Sequence, residues 1–231
     1  MNGMTKKIGL NSFWLKTIAI TTMLIDHVGA VLLPQYPILR IIGRIAFPIF
    51  CFLLVEGFMH THDVIRCMTR IGLLSDTHAY WDEKYLEYFE PCDEIWHAGD
   101  IGSLEVAEKL AAFRPLRAVY GNIDGQEIRK LFPQVNRFTV DGAEVLIKHI
   151  GGYPGKYDPS IVGSLMTRPP KLFISGHSHI LKVKYDKTLD MLHINPGAAG
   201  MSGFHKVRTL VRFVIDEGAF KDLEVIELAD K

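Results

Sequence analysis

Residues 68–78 read "MTRIGLLSDTH". Ile71, Leu73 and Leu74 form a short apolar run of the length a buried β-strand takes. The run ends by presenting a carboxylate and an imidazole, Asp76 and His78, two positions apart. The same arrangement returns downstream: "DEIWHAGD" ends in Asp100, "LRAVYGNID" in Asn122 and Asp124, "AEVLIKHIGG" in His149, "KLFISGHSH" in His177 and His179, and "DMLHINPG" in Asn195.

Segments of helical pattern such as "SLEVAEKLAAF" separate these runs. Alternation of strand and helix points to an α/β layer architecture, in which functional side chains collect at the carboxyl ends of strands. The rhythm then changes. "LKVKYD", "KVRTLVRFVID" and "LEVIEL" alternate polar with apolar residues without intervening helices, as antiparallel strands do. Two packed sheets with helices outside them accommodate both patterns.

Each motif alone is an ordinary turn or loop. "GHSH" is more informative, because His177 and His179 reach one centre only if the chain bends there, and Gly176 permits that bend. Together Asp76, His78, Asp100, Asn122, His149, His177 and His179 supply imidazole, carboxylate and amide donors and no thiolate. They are too many for one tetrahedral ion and include a carboxylate able to bridge, which suits two adjacent divalent ions.

The ordered set D-x-H, GD, GN-x-D, H and GHSH, followed by "NPG", resembles the calcineurin-like metallophosphoesterases, and within them the compact YfcE-like phosphodiesterases. The resemblance spans residues 68–231. It implies a two-sheet β-sandwich flanked by helices. It also implies one ion on Asp76, His78 and His179, a second on Asn122, His149 and His177, and Asp100 bridging them. Two such ions, manganese first with magnesium, zinc, iron or nickel as alternatives, hold a bridging hydroxide that attacks phosphorus in a phosphodiester. Asp100, Asn122 and His149 are then the catalytic positions, the last two also orienting the phosphate.

One position departs from the larger family members. They read GN-H-[DE], with that histidine protonating the leaving group, whereas this chain has Ile123. Compact members also lack it, so the expectation is an enzyme that favours good leaving groups such as aryl alcohols. His97 should face away from Asp100 by strand alternation and act in the core or behind the ligands. His193 reads as structural, and Asp124 as either a support for a ligand histidine or a simple turn residue. "GGYPGKYDP" after His149 brings two tyrosines near the expected cleft. The rival function is a protein-binding scaffold, since a retromer subunit shares this fold; retention of all seven donors favours catalysis.

The formal charge is zero, but residues 1–67 carry 6 Lys/Arg against 3 Asp/Glu and the remainder 20 against 23. No cluster of cations marks a nucleic-acid footprint. Cys51, Cys67 and Cys92 are too few and too scattered for a disulfide framework or a thiolate zinc site, which fits a reducing compartment.

Residues 1–67 read differently. Phe13 to Leu33 and Ile38 to Phe58 are two apolar runs, each near the ~20 residues that span a bilayer, and neither shows a regular polar face. Two membrane helices are expected over residues 13–58, with two core helices of a globular unit as the alternative. Lys6, Lys7 and Lys16 favour a cytoplasmic N-terminus, so a hydrophobic hairpin returns the catalytic domain to the cytoplasmic side. A cleaved secretory signal fits poorly, because Asp26 and His27 fall within the first run. Asp26, His27, Arg40, Arg44 and Glu56 need partners in such helices.

"LKTIAITTMLIDHVGAV" followed by "RIIGRIAFPIFCFLLVEGFMHTHDV" resembles the start of the TraX family, multi-spanning proteins linked to conjugative transfer and pilin acetylation, over about residues 14–67. Only the family's first helices are represented, so its acetyl transfer does not carry over, and Asp26 and His27 read as remnants. Met68 is placed as a starting residue for a free-standing domain. The expected organisation is therefore 1–67 as an extraneous or anchoring segment and 68–231 as the metallophosphoesterase domain.

Overall fold

The computed structural model describes residues 12–60 and 68–228, with side chains for 14–53 and 68–228. Lys6, Lys7, Cys67 and the Glu56 side chain lie outside the described residues. The chain divides into two compact units, residues 1–66 and 67–231.

The first unit holds α1 (Ser12–Val31), α2 (Pro37–Gly43) and α3 (Ala46–His60). Gly43 lies against Asp26 and Gly29 against the Leu39 side chain, so small residues let α2 approach α1 closely. The expected pair of membrane spans is not found: no described helix is long and apolar enough to cross a membrane. The second apolar run breaks after Gly43, and its longer piece, α3, has 15 residues. At 1.5 Å per residue that is about 22 Å, short of a hydrocarbon core of about 30 Å. α1 has the length, but Lys16, Asp26 and His27 interrupt its apolar character.

The second unit runs β1 (Thr69–Leu74), α4 (Lys84–Phe89), β2 (Glu94–His97), α5 (Leu104–Phe113), β3 (Leu116–Ala118), α6 (Gln126–Leu131), β4 (Val135–Val140) and β5 (Ala143–Lys148). It continues through β6 (Gly152–Tyr153), β7 (Lys156–Tyr157), α7 (Pro159–Thr167), β8 (Leu172–Ile174), β9 (Leu181–Asp186), β10 (Met191–Pro196), β11 (Thr209–Asp216) and β12 (Ala219–Glu227).

Two five-stranded sheets result, ordered β12-β11-β1-β2-β3 and β4-β5-β8-β10-β9, with β6 and β7 as a separate hairpin. β1, β2 and β3 run parallel in the first sheet, and β5, β8 and β10 in the second. β9, β11 and β12, whose sequences alternate, pair antiparallel as expected.

The inner faces meet in a core that includes Ile71, Leu73, Trp96, Val145, Ile147, Ile174, Ile194 and Phe213. Outside the first sheet, Leu74, Ile95 and Ala118 pack under Phe89 of α4, Val106 and Leu110 of α5 and Ile128 of α6. Outside the second, Leu146 and Phe173 pack under Ile161 and Leu165 of α7. β1 is covered on both faces, which is why its sequence is a continuous apolar run rather than an alternating one.

The register sets where the strands end. Leu74 is level with His97 and His97 with Ala118, while Ile147 is level with Ile174 and Ile174 with Ile194. The six parallel strands therefore end together within each sheet, and their polar residues follow within a few positions. Ser103 caps α5 by accepting from the Val106 N–H, fixing where the β2 loop gives way to helix.

Candidate metal centre

Two groups of donors form at these strand ends. Asp76, His78 and His179 each offer one atom such that all lie within 4.8 Å of one another, and so do Asp100, His149 and His177. The two groups are joined by Asp100. Its Oδ2 lies 3.2 Å from His149 Nε2 and 3.7 Å from His78 Nε2. Asn122 Oδ1 is 3.2 Å from His149 Nε2, so the amide joins the second group. All seven residues singled out from the sequence are thus brought together.

The backbone bends sharply to do this. Asp76, His78, Asp100, His177 and His179 all have φ between 48° and 67°. Non-glycine residues rarely adopt this left-handed conformation, which costs about 1–3 kcal/mol each and persists where the surroundings over-determine it. The Gly176 expectation needs correcting: the bends sit on His177 and His179 themselves. Gly176 is required because a side chain there would run into Ser75 Oγ of the β1 loop. Gly121 serves similarly, lying directly against the Asp100 carboxylate.

The donor set fits cations. Asp76 is fully buried, and its Oδ1 accepts no hydrogen bond, although it lies 3.2 Å from His179 Nε2 and 4.0 Å from His149 Nε2. The 3.2 Å pair is close enough to attract but poorly directed as a hydrogen bond. His78 Nε2 and His179 Nε2 also converge to 3.3 Å, nitrogen against nitrogen. An orphaned buried carboxylate oxygen beside converging imidazole nitrogens is what an ion between them satisfies.

The remaining lone pairs are held by the frame. Asp76 Oδ2 accepts from the His177 N–H at 3.1 Å and Asp100 Oδ1 from the Ile123 N–H at 3.1 Å. His149 Nδ1 donates to the Ala98 carbonyl at 2.8 Å, which turns Nε2 inward. Burial alone pushes the His149 pKa down, but its hydrogen bond to Asp100 and the charges of Asp76 and Asp100 leave it raised. The Asp76 carboxylate, 3.2 Å from His179 Nε2, outweighs burial and leaves that imidazole raised too. Burial pushes Asp100 up, and the His149 hydrogen bond and charge outweigh it, leaving that carboxyl lowered.

Supporting residues complete the site. His97 is not among the donors. Its Nδ1 accepts from the Gly99 N–H at 3.1 Å, so its Nε2 carries the proton to Thr77 Oγ1 at 3.0 Å, and Thr77 Oγ1 donates to the Ile101 carbonyl at 2.9 Å. Complete burial lowers its pKa to about 4. His193 donates from Nε2 to Ser175 Oγ at 3.0 Å, and burial likewise lowers it to about 4.

Asp124 neither steadies a histidine nor acts as a simple turn residue. Its buried carboxylate accepts from the Gly121 N–H at 2.7 Å, Gly102 N–H at 2.7 Å and Ile101 N–H at 3.2 Å, clamping the β2 and β3 loops together. Asn195 holds the GHSH loop by donating to the Gly176 carbonyl at 2.8 Å and Ser178 Oγ at 3.0 Å. The only advance sign of either clamp is a short polar side chain at a strand end.

The profile of the calcineurin-like phosphoesterase superfamily domain matches residues 69–218, which contain every donor described above. The chain belongs to this superfamily. A probable metallophosphoesterase of Methanothermobacter thermautotrophicus is 28% identical over 136 residues, covering 55% of this chain and 76% of that protein. Among solved structures, a Vps29 single mutant from Entamoeba histolytica has a TM-score of 0.54 at 14% identity, covering 70% of this chain and all of that one. A predicted phosphoesterase from Streptococcus pneumoniae TIGR4 has a TM-score of 0.53 at 19% identity, covering 70% and 90%. Both share the superfamily's two sheets flanked by helices.

The TraX protein profile matches residues 12–77, overlapping the phosphoesterase match through β1. A probable fimbrial assembly protein FimC of Dichelobacter nodosus is 34% identical over 85 residues, 34% of this chain and 35% of that protein. The chain spans no more than 35% of the first curated relatives it matches.

Proposed function

We propose that residues 68–231 form a metal-dependent phosphodiesterase with a dinuclear centre. Asp76, His78 and His179 hold one divalent ion, Asn122, His149 and His177 the other, and Asp100 both. The observation that carries this reading is the position of Asp100 Oδ2 between His149 Nε2 and His78 Nε2, with one donor group on each side.

Divalent ions held there supply Lewis acidity toward phosphoryl oxygens and lower the pKa of bound water. The chain's own residues do the rest. His149 keeps Nε2 turned inward because Ala98 takes its Nδ1 proton. Asn122 stands at the rim next to His149, where its amide can orient a phosphoryl oxygen. The Asp124 clamp fixes the loops carrying Asp100 and Asn122 relative to one another. Ile123 offers no proton to a departing alcohol, so substrates with good leaving groups are favoured.

The full chain with Mn²⁺ is expected to hydrolyse bis(4-nitrophenyl) phosphate, and Asp100→Asn to lose at least about 100-fold, since even residues behind metal ligands are worth 10–100-fold. A scaffold on this fold gives no hydrolysis in either protein. An Asp100→Asn protein as active as wild type overturns the assignment.

A further inference from the structure

A cavity of about 390 Å³ opens beside His177, lined by the β6–β7 hairpin and by the stretch that leads from the GHSH loop into β9. Its frame is tied across: Tyr157 Oη donates to Asp186 of β9 at 2.6 Å, and Lys184 Nζ donates to the Pro154 carbonyl at 3.3 Å. This is the "GGYPGKYDP" stretch that the metal centre does not use.

Two features of the lining select a ligand. Ile150, Tyr153 and Ile180 are exposed apolar surface at its wall, beside the donors His149 and His177. Lys156 and Lys182 also line it, and among the described residues neither is paired with a carboxylate. Lys148, Lys171 and Lys221 each have an acidic partner. Lys182 Nζ instead sits 3.5 Å from the centre of the Tyr153 ring. The one carboxylate on the wall, Asp158, accepts from Ser160 and faces Lys148 at 4.0 Å, so it does not neutralise the pair.

Cations without an internal counter-ion beside an aromatic and apolar wall match a ligand of the same composition. Accepting the phosphodiesterase reading, we infer that this cleft receives one ester arm of the substrate. The preferred arm is an aromatic or heteroaromatic group that bears a second anion, held by Lys156 and Lys182. The volume is at the small end of ligand pockets, enough for one ring system and its charged substituent.

The test compares thymidine 3′,5′-bisphosphate with thymidine 5′-monophosphate, by calorimetric titration of the full chain with Mn²⁺ present. The bisphosphate is expected to bind at least about tenfold more tightly, the scale of one added charge-assisted contact. Lys156→Ala/Lys182→Ala is expected to abolish that advantage, and Tyr153→Ala to weaken both ligands. Equal affinities in wild type, an advantage that survives the double substitution, or no measurable binding of either ligand overturns the inference. Hydrolysis is read separately with bis(4-nitrophenyl) phosphate. If hydrolysis persists but the lysine dependence is absent, the cleft assignment alone fails. If no diester is hydrolysed but lysine-dependent binding remains, the phosphodiesterase reading fails and the cleft stands.

Discussion

His149 donates from Nδ1 to the carbonyl oxygen of Ala98 at 2.8 Å, so a donor on the second sheet is aimed by the backbone of the first. The contact fixes the tautomer a metal requires, with Nε2 unprotonated. In the metal-free protein His149 and His179 have raised pKa values, because the neighbouring Asp100 and Asp76 carboxylates outweigh burial and favour their charged forms. Binding a cation must displace those protons. Metal affinity is therefore expected to fall as pH drops through the raised imidazole values, with protons released on binding wherever those imidazoles are charged. Calorimetry in two buffers of different ionisation enthalpy counts them, and an identical heat in both buffers contradicts this account.

Asp124 predicts a second outcome. Its carboxylate holds three backbone N–H groups around the β2 and β3 loops. Asp124→Ala leaves those donors buried or newly wet, at a cost of about 3 kcal/mol or more. Thermal unfolding should shift down, and diester hydrolysis should fall because the loops bearing Asp100 and Asn122 lose their common anchor. Asp124→Asn, which keeps one carbonyl acceptor, is expected to be intermediate. Wild-type melting in the alanine variant removes the clamp from the explanation.

The two-sheet architecture was readable because β1, β5 and β8 are covered on both faces and so print mostly apolar runs that stop just before a donor. The seven donors were readable for the same reason. Asp124 and Asn195 were visible as residues but not as clamps, since their roles depend on loops 20 or so positions away. Hydropathy misled over residues 13–58: apolar content suggested two spans, but Lys16, Asp26 and His27 interrupt α1, and the second run breaks after Gly43, where α2 gives way to α3.

Acid sensitivity should trace to His97 and His193 rather than to the ligand imidazoles. Burial lowers both to about 4 from the ordinary 6.5. Between those values the unfolded chain binds the extra protons, so stability rises with pH there and is lost as pH falls from 6.5 toward 4. Each contributes on the order of 3 kcal/mol by pH 4. His149 and His179, with raised values, have the opposite sign: their contribution is present below pH 6.5 and is lost as pH rises through the folded value. His193→Phe, which keeps the ring volume beside Phe173, is expected to flatten the metal-free stability curve between pH 6.5 and 4 by about half. Denaturant unfolding at pH 7, 5.5 and 4.5 measures this, and parallel curves for variant and wild type refute it.

The last prediction concerns the leaving group. Ile123 is exposed and directly follows Asn122, and its contribution to the centre is its backbone N–H, which donates to Asp100 Oδ1 at 3.1 Å. The side chain carries no proton, so the departing alkoxide must leave without help from this position, and the rate should depend steeply on the alcohol's acidity. Ile123→His preserves the backbone contact and adds an imidazole in the same place. General acid catalysis contributes about 10²–10⁴-fold where the group is well placed. The variant is therefore expected to gain at least about tenfold on an alkyl phosphodiester while changing little on bis(4-nitrophenyl) phosphate, whose alcohol needs no proton. Plotting log kcat/KM against leaving-group pKa for a series of diesters gives the decisive comparison: a steep line for wild type and a shallower one for Ile123→His. A shallow wild-type line means that some other group already protonates the alcohol, and the role assigned to position 123 fails.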